Sequence, residues 1–249
     1  DKVDLSLPES QKRLLKAVCE TGTPVILLLS TGSAMAISDA DEHCSAILHV
    51  WYPGQMGGLA AARLLMGEAV PSGRLPVTFY RTTEELPDFT DYSMKGRTYR
   101  YMEHEALYPF GYGLSYGDFE YSNLKAEQIE TGQGEARHLM LSVEITNHSM
   151  FECDEVAEVY VRITDSELAA PGGSLADFKR IHLKAGESAA ATFILSAKAF
   201  MVVNEEGEFV FDGSAAVVTC GGRQPDGRSV ELTGKTPLKL ELKLEDIRW

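Results

Sequence analysis

No stretch of this 249-residue chain approaches the roughly 20 consecutive apolar residues that a membrane-spanning helix needs. Its opening, DKVDLSLPESQKRL, lacks an initiating Met and the basic-then-apolar pattern of a secretion signal. The chain is therefore expected to begin inside a longer product. Positive charge is scarce: 23 Lys and Arg stand against 37 Asp and Glu, a formal net charge of −14. Such a surface repels phosphate backbones and anionic lipid, so no nucleic acid and no membrane is expected as a partner, and a neutral substrate suits it better. Cysteine is sparse too. Cys19, Cys44, Cys153 and Cys220 lack metal-ligand spacing and are expected as reduced, buried thiols, which favours a cytoplasmic setting. The six histidines are scattered, and Glu103-His104-Glu105 is not the HExxH pattern, so neither a metal nor another cofactor is expected.

What is present divides into two halves with different periods. In the first, Pro8 suits the first turn of a helix, where its missing N–H costs nothing. Leu14, Leu15, Val18 and Cys19 follow as an apolar stripe at helical spacing, and Gly22 can close that helix in a left-handed conformation. The runs PVILLLS and AILHVW are short, uninterrupted and apolar, as expected of parallel strands buried on both faces. Between them STGSAMAISDADEH reads as a loop, and Gly54, Gly57 and Gly58 turn the chain into the helix LAAARLLMG. This order implies a partial open, mainly parallel sheet of an α/β layer over residues 1–80. Two strands are too few for such a sheet to stand alone. Residues 81–118, rich in Tyr, Pro and Gly, read as an ordered aromatic linker. From 119 to 249 the period is two: HLMLSVEITN, DEVAEVYVRI, ATFILSA, EFVFD, AAVVTC and LKLELKL predict an all-β immunoglobulin-like sandwich.

Spacing alone assembles no catalytic site. WYPGQMGG, at 51–58, lacks both the GxGxxG fingerprint and the Gly-Lys-Ser/Thr end of a phosphate loop, so its glycines read as a strand-to-helix corner. TGSAM, at 31–35, lacks the second glycine of a nucleophile elbow, although Asp39 and His43 follow it. The carboxylate pairs Glu84/Glu85 and Asp88/Asp91 lie in polar loops with nothing to raise a pKa for general-acid work.

The order of segments carries more. LSLPESQKRLLKAV, PVILLLSTGSAMAI, AILHVWYPGQMGGLAAARLLMGEAVPSGRLPVTF and GRTYRYMEHEALYPFGYGLSYGDFEYSNL together resemble glycoside hydrolase family 3, in its β-glucosidase and β-xylosidase members. DEVAEVYVRI, LADFKRIHLKAGES and RSVELTG resemble the fibronectin type III-like domain that follows in many of these enzymes; only LKLELKLEDIRW departs from the usual ending. The resemblance implies the C-terminal portion of a retaining, exo-acting β-glycosidase. Its implied partners are an N-terminal (β/α)8 barrel carrying the nucleophilic Asp, the first part of the α/β domain carrying the acid/base Glu, and an oligosaccharide substrate. Neither carboxylate maps onto a residue of this chain, so the chain alone is expected to be inactive, with a supporting task. MKGRTYRYM and LYPFGYGLSY lean toward the bacterial β-xylosidase-like members. Within GRTYRYM, the side chains of Arg97, Tyr99, Arg100 and Tyr101 suit a sugar ring and its hydroxyls. The competing expectation, an interdomain clasp of buried tyrosines and carboxylate-paired arginines, is favoured. Two other readings stand beside the first: a non-catalytic carbohydrate-binding or assembly module, and a barrel supplied on a separate polypeptide.

Overall fold

The computed structural model describes residues 4–131 and 136–247. They form two compact units: residues 1–69 with 76–110, and residues 70–75 with 111–249. Residues 81–110 thus fold with the first unit and 111–118 with the second, while the short run 70–75 belongs to the second unit despite its place in the chain.

The first unit runs α1 (Glu9–Cys19), β1 (Ile26–Leu29), α2 (Ser38–His43), β2 (Ala46–His49), α3 (Gly57–Leu65) and the single turn α4 (Thr98–Tyr101). β1 and β2 pair in parallel, Ile26 opposite Ala46 through Leu29 opposite His49, and no further strand joins their sheet among the described residues. Pro8 precedes α1, its carbonyl accepting from the N–H groups of Gln11 and Lys12. Gly22 lies beyond its end at φ +75°, the left-handed conformation expected of it.

The stripe Leu14, Leu15, Val18 and Cys19 lies on the helix α1 as expected, although α1 has no buried residue and Leu14 is 66% exposed. Two expectations fail. β1 is not buried on both faces: Ile26 and Leu28 are exposed while Leu29 is covered. A two-stranded sheet offers too little surface for its helices and neighbours to cover. The second concerns the loop 30–43, which contains α2. Asp39 and Asp41 sit in its first turn, where the helix dipole favours negative charge. What core the unit has gathers around Phe79 and Leu107, both essentially inaccessible, with His49, Phe79 and Tyr108 meeting edge-on.

The second unit is a β-sandwich. β3 (Phe119–Thr131), β4 (Ala136–Asn147) and β7 (Ser188–Ser196) form one antiparallel sheet in the order β3-β4-β7. β5 (Cys153–Ile163), β6 (Ser174–Leu183), β10 (Ala215–Gly221) and β11 (Leu238–Lys243) form the other, in the order β11-β10-β5-β6. A small hairpin, β8 (Val202–Val203) with β9 (Phe209–Val210), and the helix α5 (Gly227–Thr233) complete it. Period-two alternation explains the packing. Leu139, Leu141, Val143 and Ile145 of β4 face Val159, Val161 and Ile163 of β5, along with Phe193, Leu195 and Val218, in one core. β11 keeps the same alternation: its three leucines are partly covered, while Lys239, Glu241 and Lys243 are exposed. α5 is capped at both ends, the Asp226 carboxylate accepting from the Ser229 N–H and Gly234 closing it at φ +67°.

Candidate functional site

The residues singled out in the sequence lie in the first unit, and most are engaged by their neighbours. Arg97 donates from Nη2 to the carbonyls of Asp88 (2.9 Å) and Asp91 (2.7 Å). It therefore pins the 88–91 loop through backbone oxygens rather than pairing with carboxylates. Those two carboxylates are held below their ordinary range by hydrogen bonds from Thr90 and Ser93, respectively. Tyr99 stacks on Phe110 with ring centroids 4.3 Å apart and planes 13° from parallel, which occupies one of its faces. Arg100 lies 5.3 Å above the Tyr101 ring, and its buried Nε has no hydrogen-bond partner in the structure. Between them Thr98 adopts φ +57°, an unusual conformation for a β-branched residue, with its N–H bonded to the Tyr80 hydroxyl at 2.9 Å. Burial raises the Tyr80 pKa, so this phenol remains protonated at neutral pH. All four predicted residues are half-buried.

The weaker motifs do not assemble either. Ser33 Oγ donates to the Ala34 carbonyl, and the His43 ring contacts the Asp39 carbonyl rather than any serine, so Ser33, Asp39 and His43 form no relay. Thr31 instead bonds His49 Nε2 at 3.0 Å across the ends of β1 and β2, and burial lowers the His49 pKa. The corner WYPGQMGG is architecture. Trp51 takes φ +54°, and its ring packs tilted against that of His49, centroids 4.2 Å apart and planes at 55°. A side chain at Gly57 would collide with the Pro53 ring, whereas Gly54 and Gly58 have open space around them.

A cavity of about 600 Å³ opens in the same unit between α1, α2 and residues 81–84. Asp4, near the rim, accepts from the Ser6 N–H and the Thr83 hydroxyl, and these bonds hold its pKa at about 2. It is therefore a fixed anion, unable to donate a proton near neutrality. Among the described residues no group of three His, Cys, Asp or Glu side chains could hold a metal ion.

Among the described residues two acids are buried, and both lie in the second unit. Glu155 and Glu158 of β5 are 1% and 4% exposed. Arg74, from the inserted run 70–75, bonds Glu155 Oε2 through Nη2 at 2.8 Å and the Gly222 carbonyl through Nε at 2.9 Å. The Tyr121 hydroxyl donates to Glu155 Oε1 at 2.8 Å, and the Tyr160 hydroxyl to Glu158 Oε2 at 2.7 Å. Burial pushes the Glu158 pKa up to about 7, with Glu155 adding to the rise and Tyr160, Arg74 and Arg223 opposing it. Burial also lowers the Arg223 pKa.

Two buried carboxyl groups on one strand invite comparison with the acid pair of a glycosidase, but both are engaged within the protein, Glu155 by Arg74 and Tyr121 and Glu158 by Tyr160. A Cβ at Gly222 would collide with Glu155 Oε1, and one at Gly111 would collide with Glu158 Oε2. Each carboxylate thus packs closely against a glycine backbone. The cluster is a hydrogen-bonded anchor that holds residues 70–75 within the sandwich. A sequence signal did exist: Glu155 shares the inward register of Val159, Val161 and Ile163, and an acid in that register needs a buried cation.

Comparison with known proteins agrees with this distribution. Residues 1–116 match the model of the glycosyl hydrolase family 3 C-terminal domain, and residues 155–224 match that of a fibronectin type III-like domain. A xylan 1,4-β-xylosidase from Xylanibacter ruminicola is 42% identical over 79% of this chain, which spans 22% of that protein. A periplasmic β-glucosidase from Salmonella typhimurium is 32% identical over 82% of the chain, which spans 28% of it. The crystal structure of a Listeria innocua β-glucosidase with gluconolactone superposes with a TM-score of 0.77 at 30% identity, covering 96% of this chain and 33% of that one. The chain thus spans a fifth to a third of the proteins it matches. It belongs to glycoside hydrolase family 3 and corresponds to the C-terminal portion of its β-xylosidases and β-glucosidases.

Proposed function

We propose that this chain is the supporting C-terminal part of a retaining, exo-acting β-glucosidase or β-xylosidase. In this reading the nucleophilic Asp and the acid/base Glu lie upstream, on a (β/α)8 barrel and on the first part of the α/β domain. The observation that carries it is the incomplete first unit: a two-stranded parallel sheet with Ile26 and Leu28 exposed, flanked by a helix with no buried residue. Upstream strands and helices would cover these surfaces, and the completed layer would hold the acid/base loop in place. Retaining hydrolysis needs two carboxyl groups about 5–5.5 Å apart, with room for the sugar between them. Glu155 and Glu158, the buried acids among the described residues, are instead engaged by Arg74, Tyr121 and Tyr160.

Arg97, Tyr99, Arg100 and Tyr101 take a structural part in this reading. Arg97 fixes the 88–91 loop and Tyr99 stacks on Phe110, so these two would act on a sugar through the loops they hold, with Arg100 and Tyr101 beside them. The substrate would be an oligosaccharide with a β-linked terminal glucose or xylose, and the relatives named for these sugars support both. No helix among the described residues is long and apolar enough to cross a membrane. The cytoplasmic setting rests on four free thiols, and the Salmonella relative is named as periplasmic. Fractionation of the source cells decides between the two compartments. The functional test compares this chain with a polypeptide extended upstream by the barrel, on nitrophenyl β-xyloside and β-glucoside. The extended protein should release nitrophenol, and this chain should release none above the blank. Turnover by the short chain would overturn the reading.

A further inference from the structure

Two of the four cysteines are buried in the sandwich core, contrary to the expectation that all four would be; the other two are half-buried in the first unit. Cys19 is the last residue of α1, and Cys44 stands between the end of α2 and the start of β2. The cavity between these helices is lined on one side by Leu15, Lys16 and Cys19, and on the other by Ala40 and His43, the residue before Cys44. Cys19 thus lines this cavity, and its thiol lies near enough to that of Cys44 to be its hydrogen-bond partner. Both thiols are free.

We propose that Cys19 and Cys44 are a thiol-oxidation site, closing to a reversible disulfide that fastens the end of α1 to the start of β2. The oxidant is a low-molecular-weight disulfide such as oxidised glutathione, which reaches Cys19 through the cavity. The Cys19 thiolate attacks one sulfur of that molecule, forming a mixed disulfide and expelling one glutathione thiolate. Cys44, after losing its proton to solvent, then attacks the Cys19 sulfur and expels the second glutathione. The protein gives up two electrons and two protons, and one oxidised glutathione becomes two reduced ones. The order follows from the surroundings. Cys19 faces the cavity, whereas burial and then the neighbouring Cys19 push the Cys44 thiol up, making it the later-acting sulfur. Cys153 and Cys220 serve as internal controls, because both are buried and burial pushes Cys220 up to about 12.

The bridge would matter because α1 has no buried residue to hold it. It would close a loop of roughly 25 residues and so restrict the open ensemble of the least-covered helix. To test this, the purified protein is incubated with oxidised glutathione near pH 8, its free thiols are alkylated under denaturing conditions, and it is digested on the C-terminal side of glutamate. Cleavage after Glu20 and Glu42 places the two cysteines on separate peptides. The expected result is a Cys19–Cys44 linked pair that dithiothreitol separates, with Cys153 and Cys220 recovered alkylated. Amide exchange in α1 should also slow by roughly tenfold or more on oxidation, with no slowing in a Cys44→Ser variant. Recovery of Cys19 and Cys44 both as alkylated thiols would overturn the proposal. So would a mixed disulfide that persists on Cys19 beside an alkylated Cys44, or a linked pair that leaves α1 exchange unchanged.

Discussion

Glu158→Gln should make the protein more stable above neutral pH and abolish one component of its pH dependence. The Glu158 carboxyl is almost fully covered, accepts from the Tyr160 hydroxyl at 2.7 Å, and is pushed up to about 7 chiefly by burial. In the unfolded chain the same group titrates at its ordinary value of 4.5. Between these two pH values the native state holds a proton that the unfolded state has lost. Native stability therefore falls as pH rises through this window and levels off above it. The rise from 4.5 to about 7, at about 1.4 kcal/mol for each tenfold change in proton affinity, corresponds to about 3 kcal/mol of stability lost by pH 8. Glutamine keeps an oxygen for the Tyr160 hydroxyl to donate to, has nearly the same shape, and never ionises. Urea titrations followed by circular dichroism, run on both proteins from pH 4.5 to 8, give the difference directly. The variant's advantage should grow steadily to about 3 kcal/mol across that range. Parallel curves, or a wild-type stability that rises between pH 4.5 and 7 relative to the variant, would refute the argument.

Two further outcomes follow from the geometry. Arg74→Met should leave Glu155 buried without its cation and cost about 3–5 kcal/mol in urea unfolding, while Arg74→Lys, which cannot serve both Glu155 and the Gly222 carbonyl, should recover only part of this. Tyr99→Ala should remove the Phe110 stack and speed amide exchange around 97–101, at a cost of about 2 kcal/mol; Tyr99→Phe, which keeps the ring, should cost far less.

The sandwich was legible because one strong pattern governs it. Apolar side chains at every second position of β4, β5 and β11 have one core to enter, and they enter it. β1 and β2 were legible as strands for a related reason, since short apolar runs between Gly and Pro have few other uses. Their exposure was not legible, because burial depends on neighbours that the sequence of a segment does not describe. α2 escaped notice because six residues of SDADEH carry no hydrophobic period, and its stability comes from charge at its first turn and the burial of Ala40. The Arg74–Glu155 anchor was hidden for another reason. Its partners lie 81 residues apart, and only the fold brings run 70–75 to β5. In GRTYRYM the residue types suited a sugar, but the sequence did not show that Arg97 bonds the Asp88 and Asp91 carbonyls or that Tyr99 stacks on Phe110, because these partners are set by the fold of the loop.

The central claim is that the open β1–β2 sheet is a surface meant for upstream chain. Hydrogen exchange at the amides of Ile26–Leu29 measures this most directly, in this chain alone and in a polypeptide extended upstream. The account predicts that these amides exchange within a few orders of magnitude of the unfolded rate in the short chain, and at least about a hundredfold more slowly in the extended one. Equal protection in both would contradict it, since the sheet would then be complete as it stands.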